Sequence, residues 1–259
     1  MLILALDTTT RAGSVAVCDD DRVLATVRGD AGRTHGERLP AEIEQALAAA
    51  AVTLRDLALL AVASGPGAFT GLRIGLAAMQ GMAMVLGIPV VGVSALDALA
   101  WEAWPVRRPG ENRAFAWMDA QRGEVFAAQY RSTDDVSSIP AAAASVPVNG
   151  APPESQDVSP AIIGHPIVAT PNAVLDLMSD IAERGAICFG DGAVRYRAEI
   201  ETRFAGRGRV IETPDTLAPA VARLGWRLAA SGHGGPPHAL QPLYVRRPDA
   251  ELERQRRQR

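Results

Sequence analysis

Leu57-Ala-Leu-Leu-Ala-Val-Ala63, running on into Ser64-Gly-Pro-Gly-Ala-Phe-Thr-Gly-Leu-Arg-Ile-Gly75, is the stretch from which the rest of the chain can be read. A short apolar run bounded by turn residues predicts a buried strand. A glycine-rich loop closes it, and a helix follows from about Thr70 to Leu86, where Gly87-Ile88-Pro89 stops it. Strand, glycine loop and helix N-terminus in that order leave backbone N–H groups pointing at one spot, which suits an anion. Gly65, Gly67 and Thr70 are the candidate contacts. No Gly-Lys-Ser/Thr follows, so the loop is not a Walker-type P-loop. Along the helix, Gly71, Gly75, Ala78 and Gly81 recur at four- and three-residue spacing and leave one face almost bare backbone. Three internal glycines cost roughly 3 kcal/mol in helix propensity. Close approach of another element would offset that cost. Either the chain's own sheet or a partner's helix fits.

Upstream, Leu2 to Leu6 reads as a buried first strand ending at Asp7. Ser14 to Cys18 and Val23 to Val27 alternate as strands, giving an antiparallel meander. A helix carries Leu39, Ile43, Leu47 and Ala50 on one face. Thr34 to Glu37 fits a capping box, with Pro40 then inside the second turn. Downstream, Val90 to Val93 is a strand and Ser94 to Trp104 a short helix. Three antiparallel strands, then helix, strand, helix, strand, is the order of one lobe of the actin, sugar-kinase and Hsp70 class. A second unit repeats it: a hairpin of Arg113 to Asp119 and Glu124 to Tyr130, helix Asn172 to Ala182, strand Ala186 to Phe189, helix Ala193 to Phe204 and strand Arg209 to Ile211. Helix Asp215 to Ala230, with Leu217, Val221, Leu224 and Leu228 on one stripe, is expected to pack back on the first lobe.

The expected fold is therefore α/β, with two actin-like (ASKHA, RNase H-like) lobes, each a mixed sheet flanked by helices. The first lobe takes 1–104 and 214–232, the second 105–213, and 233–259 is an arginine-rich tail. Seven prolines between Pro140 and Pro171 predict a loop or decoration over 140–171 with no core of its own.

The net charge is −3 and lysine is absent, all 26 basic residues of the Lys and Arg count being arginine. A broad nucleic-acid footprint and lysine-based catalysis are thereby excluded. Cys18 and Cys188 sit in no metal-ligand spacing and read as buried thiols in a reducing compartment. The four histidines, His35, His165, His233 and His238, form no zinc-type pair, so no metal is expected. The run Met1 to Leu6 lacks the basic flank of a signal peptide, and Ile74 to Leu96 is interrupted by Gln80, four glycines and Pro89. A cytoplasmic protein without a membrane span is expected.

Asp7, Thr8 and Thr9 read two ways, as contacts to a nucleotide's metal and phosphates or as organisers of the turn. Gly190 and Asp191 likewise read as an adenosine or phosphate contact or as a turn with a helix cap. The six arginines from Arg246 onward, interspersed with acids, read as a solvated terminus or an RNA-binding arm.

Ile3 to Thr9, Ser64 to Gly75 and Asp119-Ala-Gln-Arg-Gly-Glu-Val-Phe126 together resemble the bacterial TsaB family. Gln80-Gly81, Val93 to Leu96 and Pro242-Leu-Tyr-Val-Arg246 also fit, whereas Gln121 stands where the family usually has arginine. TsaB proteins are similar to their partner TsaD, a metalloenzyme of the same fold. The TsaD metal-ligand positions here fall on Ala95 and Leu99, which cannot coordinate a metal. The resemblance implies a subunit with no catalytic residues of its own, supporting a TsaD-type enzyme that transfers threonylcarbamoyl to the adenosine beside the tRNA anticodon. A TsaE-type ATPase would join the larger complex, tRNA would be met only through it, and the lone chain would homodimerise. No intrinsic cofactor is implied, although ATP or ADP at the partner interface is. The implied interface is Leu39, Ile43, Leu47, Gly71, Arg73, Gly75, Ala78, Met79 and Met82, with Gly75→Arg as its probe. The alternative from the residues alone is an autonomous nucleotide-dependent enzyme whose ATP cleft is lined by Asp7, the Gly65–Gly67 loop and Gly190–Gly192.

Overall fold

The computed structural model describes residues 1–108, 111, 113–132, 160–178, 186–205 and 207–246. Two five-stranded mixed sheets dominate it. The first contains β1 (Leu2–Asp7), β2 (Ser14–Asp19), β3 (Arg22–Arg28), β4 (Leu59–Gly65) and β5 (Val90–Ser94), in the order β3-β2-β1-β4-β5. β1 pairs antiparallel with β2 and parallel with β4. The second contains β6 (Arg113–Asp119), β7 (Val125–Ser132), β8 (Pro160–Ala169), β9 (Ala186–Phe189) and β10 (Gly208–Ile211), in the order β10-β9-β6-β7-β8. Read from the other edge, this repeats the first sheet. A meander and two parallel additions form each; the sequence predicts the meander of the first sheet but only a hairpin in the second.

Strand alternation decides what each face holds. On β1, Leu4 and Leu6 point to one side with Leu60 and Val62 of β4. There they meet α1 (His35–Ala50) and α2 (Phe69–Leu86). Ile3, Ala5, Ala16 and Ala61 point to the other side, where α3 (Ala95–Ala103) and α7 (Ala218–Ala230) lie between the two sheets. The small residues let α7 approach closely, since a Cβ on Gly225 would sit 2.6 Å from the Ala61 Cβ. The far face of the second sheet carries Phe115, Trp117 and Cys188 beneath α4 (Pro171–Met178), α5 (Asp191–Arg195) and α6 (Arg197–Phe204). The order is thus helices, sheet, helices, sheet, helices. Ser14 Oγ accepts the Ala218 N–H at 3.0 Å and fixes the start of α7 on the first sheet.

Three readings change. Residues 160–169 of the proline-rich segment are a strand, β8, paired antiparallel with β7 rather than a coreless decoration, while 133–159 lie outside the described residues. The helix expected over Ala193 to Phe204 is two, broken at Tyr196 (φ −106°, ψ 27°). The tail docks as far as Arg246, and its remaining arginines lie outside the described residues.

Candidate partner face and glycine loop

β1 delivers Asp7 to the end of the first sheet, 1% exposed. Its Oδ1 accepts Thr9 N–H at 2.8 Å and Thr9 Oγ1 at 2.5 Å, and its Oδ2 accepts Thr10 Oγ1 at 2.7 Å. The carboxylate is spent on the turn that follows. α1 braces that turn from outside. Its Thr34–Glu37 capping box forms, and Pro40 is accommodated within the helix. Arg38, 3% exposed, donates to Glu42 at 2.6 Å and to the carbonyl of Ala12. Arg38 Nη2 also donates to His35 Nδ1 at 2.7 Å. Guanidinium has no acceptor, so Nδ1 must be the bare nitrogen, and Nε2–H donates to Thr10 O at 3.1 Å. Burial first, then the Arg38 charge, hold His35 below its ordinary value, in keeping with that neutral tautomer.

The glycines of the loop and of α2 are explained at this turn. A Cβ on Gly67 would lie 2.5 Å from Thr9 Cβ, one on Gly71 2.3 Å from Thr8 O, and one on Gly75 2.2 Å from Thr8 Oγ1. Gly65, at φ +120°, faces the tail, with Leu243 O 2.6 Å from its would-be Cβ and Leu243 N–H bonded to Ser64 O at 2.7 Å. The close approach that offsets the helix cost is therefore the chain's own turn, and Gly75→Arg would wreck this packing instead of probing a surface. Gly81 is different. It meets nothing within 4 Å.

Asp7, Thr8, Thr9 and Gly67 are brought together, but largely onto one another, while Gly65 faces the tail and Thr70 is exposed at the start of α2. Gly190 and Asp191 belong to the second sheet: Gly190 abuts the Trp117 carbonyl, and Asp191 Oδ1 accepts the N–H groups of Asp119 at 3.0 Å and Gly192 at 2.8 Å. Asp191 is a turn organiser. Burial pushes its carboxyl up.

The interface residues divide by burial. Leu39, Ile43, Leu47 and Met79 are 4%, 9%, 8% and 0% exposed and belong to the core under the first sheet, as do the buried Gly71 and Gly75. None of these six presents a surface. Arg73, Ala78 and Met82 remain at least partly exposed. The sequence reading missed Ala77, Met84 and Val85, of which Met84 is 74% and Val85 86% exposed. Thr70, Arg73, Ala77, Gly81 and Met84 form an outer stripe at three- and four-residue spacing. Only Arg73 is charged, and it lies 3.9 Å over the Phe69 ring while its Nε donates to Tyr244 Oη at 3.2 Å. α2 is long and apolar enough to pass for a membrane span by composition, with a mean hydropathy of 1.3. Its inner face is instead core and its outer face bare. The signal was present in the sequence: a helix apolar all round needs cover on both sides.

The tail completes the arrangement. Tyr244 stacks on Phe69 with centroids 5.3 Å apart, and Arg246 bonds Ala120 O at 2.8 Å and the Glu124 carboxylate in the β6–β7 turn. One strap joins the ends of both sheets.

Two repeated mixed sheets with helices on both faces and between them define an actin-like, RNase H-like α/β protein of two lobes. The family model described as TsaD, tRNA N6-adenosine threonylcarbamoyltransferase, matches residues 27–151. The tRNA threonylcarbamoyladenosine biosynthesis protein TsaB of Escherichia coli is 39% identical over 135 residues, covering 52% of this chain and 57% of that protein. TsaB of Haemophilus influenzae is 36% identical over 136 residues, covering 50% and 53%. The chain thus spans little more than half the length of these curated relatives. A crystal structure described as an uncharacterized protein with similarity to peptidase YEAZ, from Pseudomonas aeruginosa, superposes with TM-score 0.71 at 28% identity, covering 95% of this chain and 99% of that one. Over about half its length the chain is similar to TsaB proteins.

Proposed function

We propose that the chain serves threonylcarbamoyladenosine formation on tRNA as a non-catalytic subunit, docking on a TsaD-type enzyme through the outer face of α2. The observation that carries this reading is the pair Met84 and Val85, 74% and 86% exposed on a helix whose other face is core. Exposed apolar side chains clustered on one rigid element favour a protein partner. Gly81 within the stripe would admit a partner backbone at close range. The oxygens of Asp7 are engaged by its own turn, which favours a supporting role over a nucleotide-dependent enzyme acting alone. ATP or ADP, where it takes part, belongs at the shared interface. A TsaE-type ATPase, tRNA met through the complex, self-association by the same face and a cytoplasmic location complete the reading.

The test is threonylcarbamoyl transfer to tRNA by a TsaD-type subunit with its accessory proteins, with and without this chain. Transfer that needs the chain supports the proposal, and transfer indifferent to it overturns the proposal.

A further inference from the structure

The middle helical layer leaves a gap at one edge. Between β5, α3, α7 and the β7–β8 edge lies a cavity of about 290 Å³, walled by Val93, Trp101, Ile162, Leu224 and Leu228. No residue of α2 lines it. Within this hydrocarbon and indole wall sits one carboxylate, Asp97, from the first turn of α3. Tyr130, 1% exposed, donates from Oη to Asp97 Oδ1 at 2.7 Å. The Asp97 N–H is itself bonded to Ser94 Oγ at 3.3 Å, which fixes the backbone behind the carboxylate.

The pair is poorly balanced for a structural tie alone. Burial pushes the Asp97 carboxyl above its ordinary value, and only the Tyr130 hydrogen bond pulls the other way. The Arg227 guanidinium, also at the cavity, lies 4.4 Å over the Trp101 ring and forms part of its wall. A desolvated carboxylate with one neutral donor and, among the described residues, no cationic partner is unfavourable, because the charged form loses its water without full replacement. A ligand that brings a positive charge to Asp97, and apolar surface to the leucines, supplies what the cavity lacks.

We propose that this cavity is a small-molecule site for a primary amine on a compact apolar body, with the ammonium paired to Asp97 and the body against Trp101, Leu224 and Leu228. The site is independent of docking through α2, so either proposal stands or falls without the other. Charge-assisted pairing in an apolar surround should dominate selectivity.

The probes are isopentylamine and its uncharged counterpart isopentanol, titrated calorimetrically into the full chain at neutral pH and millimolar concentration. The expected result is binding of the amine about tenfold tighter than of the alcohol. Asp97→Asn should remove that advantage while leaving the alcohol unchanged, and Leu228→Trp should fill the cavity and abolish both. Equal affinity for the two probes, binding by neither, or an Asn variant that keeps the amine's advantage would each overturn the proposal. Should Asp97→Asn fail to fold, the comparison of amine with alcohol on the wild-type chain still decides.

Discussion

Replacing Gly71 by alanine should destabilise the protein, although alanine is the better helix former. The added Cβ would lie 2.3 Å from the Thr8 carbonyl oxygen and 3.0 Å from His35 Cδ2. Restoring an ordinary contact of about 3.5 Å needs roughly 1 Å of movement of α2 away from the end of β1. The obstacle is backbone, so no side-chain rotation relieves it. Overpacking of this kind costs about 1–3 kcal/mol, and the gain in helix propensity returns about 1 kcal/mol. The net loss, up to about 2 kcal/mol, lowers Tm by up to about 8 °C for a chain of this size. Gly81→Ala, on the same helix, meets nothing within 4 Å and keeps only the favourable term. It should raise Tm by about 2–4 °C. Thermal unfolding followed by circular dichroism measures both. A Gly71→Ala protein as stable as Gly81→Ala would refute the close-approach explanation of the glycines.

Arg38→Met leaves Glu42 nearly buried without its cation and strips the Ala12 carbonyl and His35 Nδ1 of their donor. A loss of about 3–5 kcal/mol follows, read from the urea midpoint. The pH dependence has a definite sign at His35. Its folded value lies below the ordinary 6.5, so the unfolded chain binds the extra proton first. The His35 contribution is fully present above about pH 6.5 and is lost as pH falls through the folded value. His35→Gln should flatten that part of the stability profile, and an unchanged slope would count against the neutral tautomer.

The meander, the glycine loop and the repeated unit could be read in the chain because propensity, alternation and turn residues agree there. β8 could not be. Pro160, Gly164 and Pro166 argue against a strand, but an edge strand can keep a proline nitrogen on its unpaired side. The register with β7 slips between Ala127 and Gln129, opposite Gly164 at φ +74°, so a bulge absorbs the irregular residues. Most of the residues named from the sequence as a partner face lie on the covered side of α1 and α2. Periodicity locates an apolar stripe without saying what covers it, and Leu39, Ile43, Leu47 and Met79 are the stripe that the chain's own sheet covers. The glycine spacing of α2 fits either the chain's own sheet or a partner's helix, since nothing in the local sequence brings Thr8 to Gly75. The docking of Tyr244 and Arg246 joins residues more than a hundred positions apart, beyond any local pattern.

Met84→Glu tests the outer face of α2 most directly. Met84 is 74% exposed, so the substitution should leave Tm within about 2 °C of wild type. Affinity for a TsaD-type subunit, measured by calorimetry, should fall at least about 30-fold, the loss of one central contact worth about 2 kcal/mol. A folded Met84→Glu protein that binds that subunit with wild-type affinity would contradict the assignment of α2 as the docking surface.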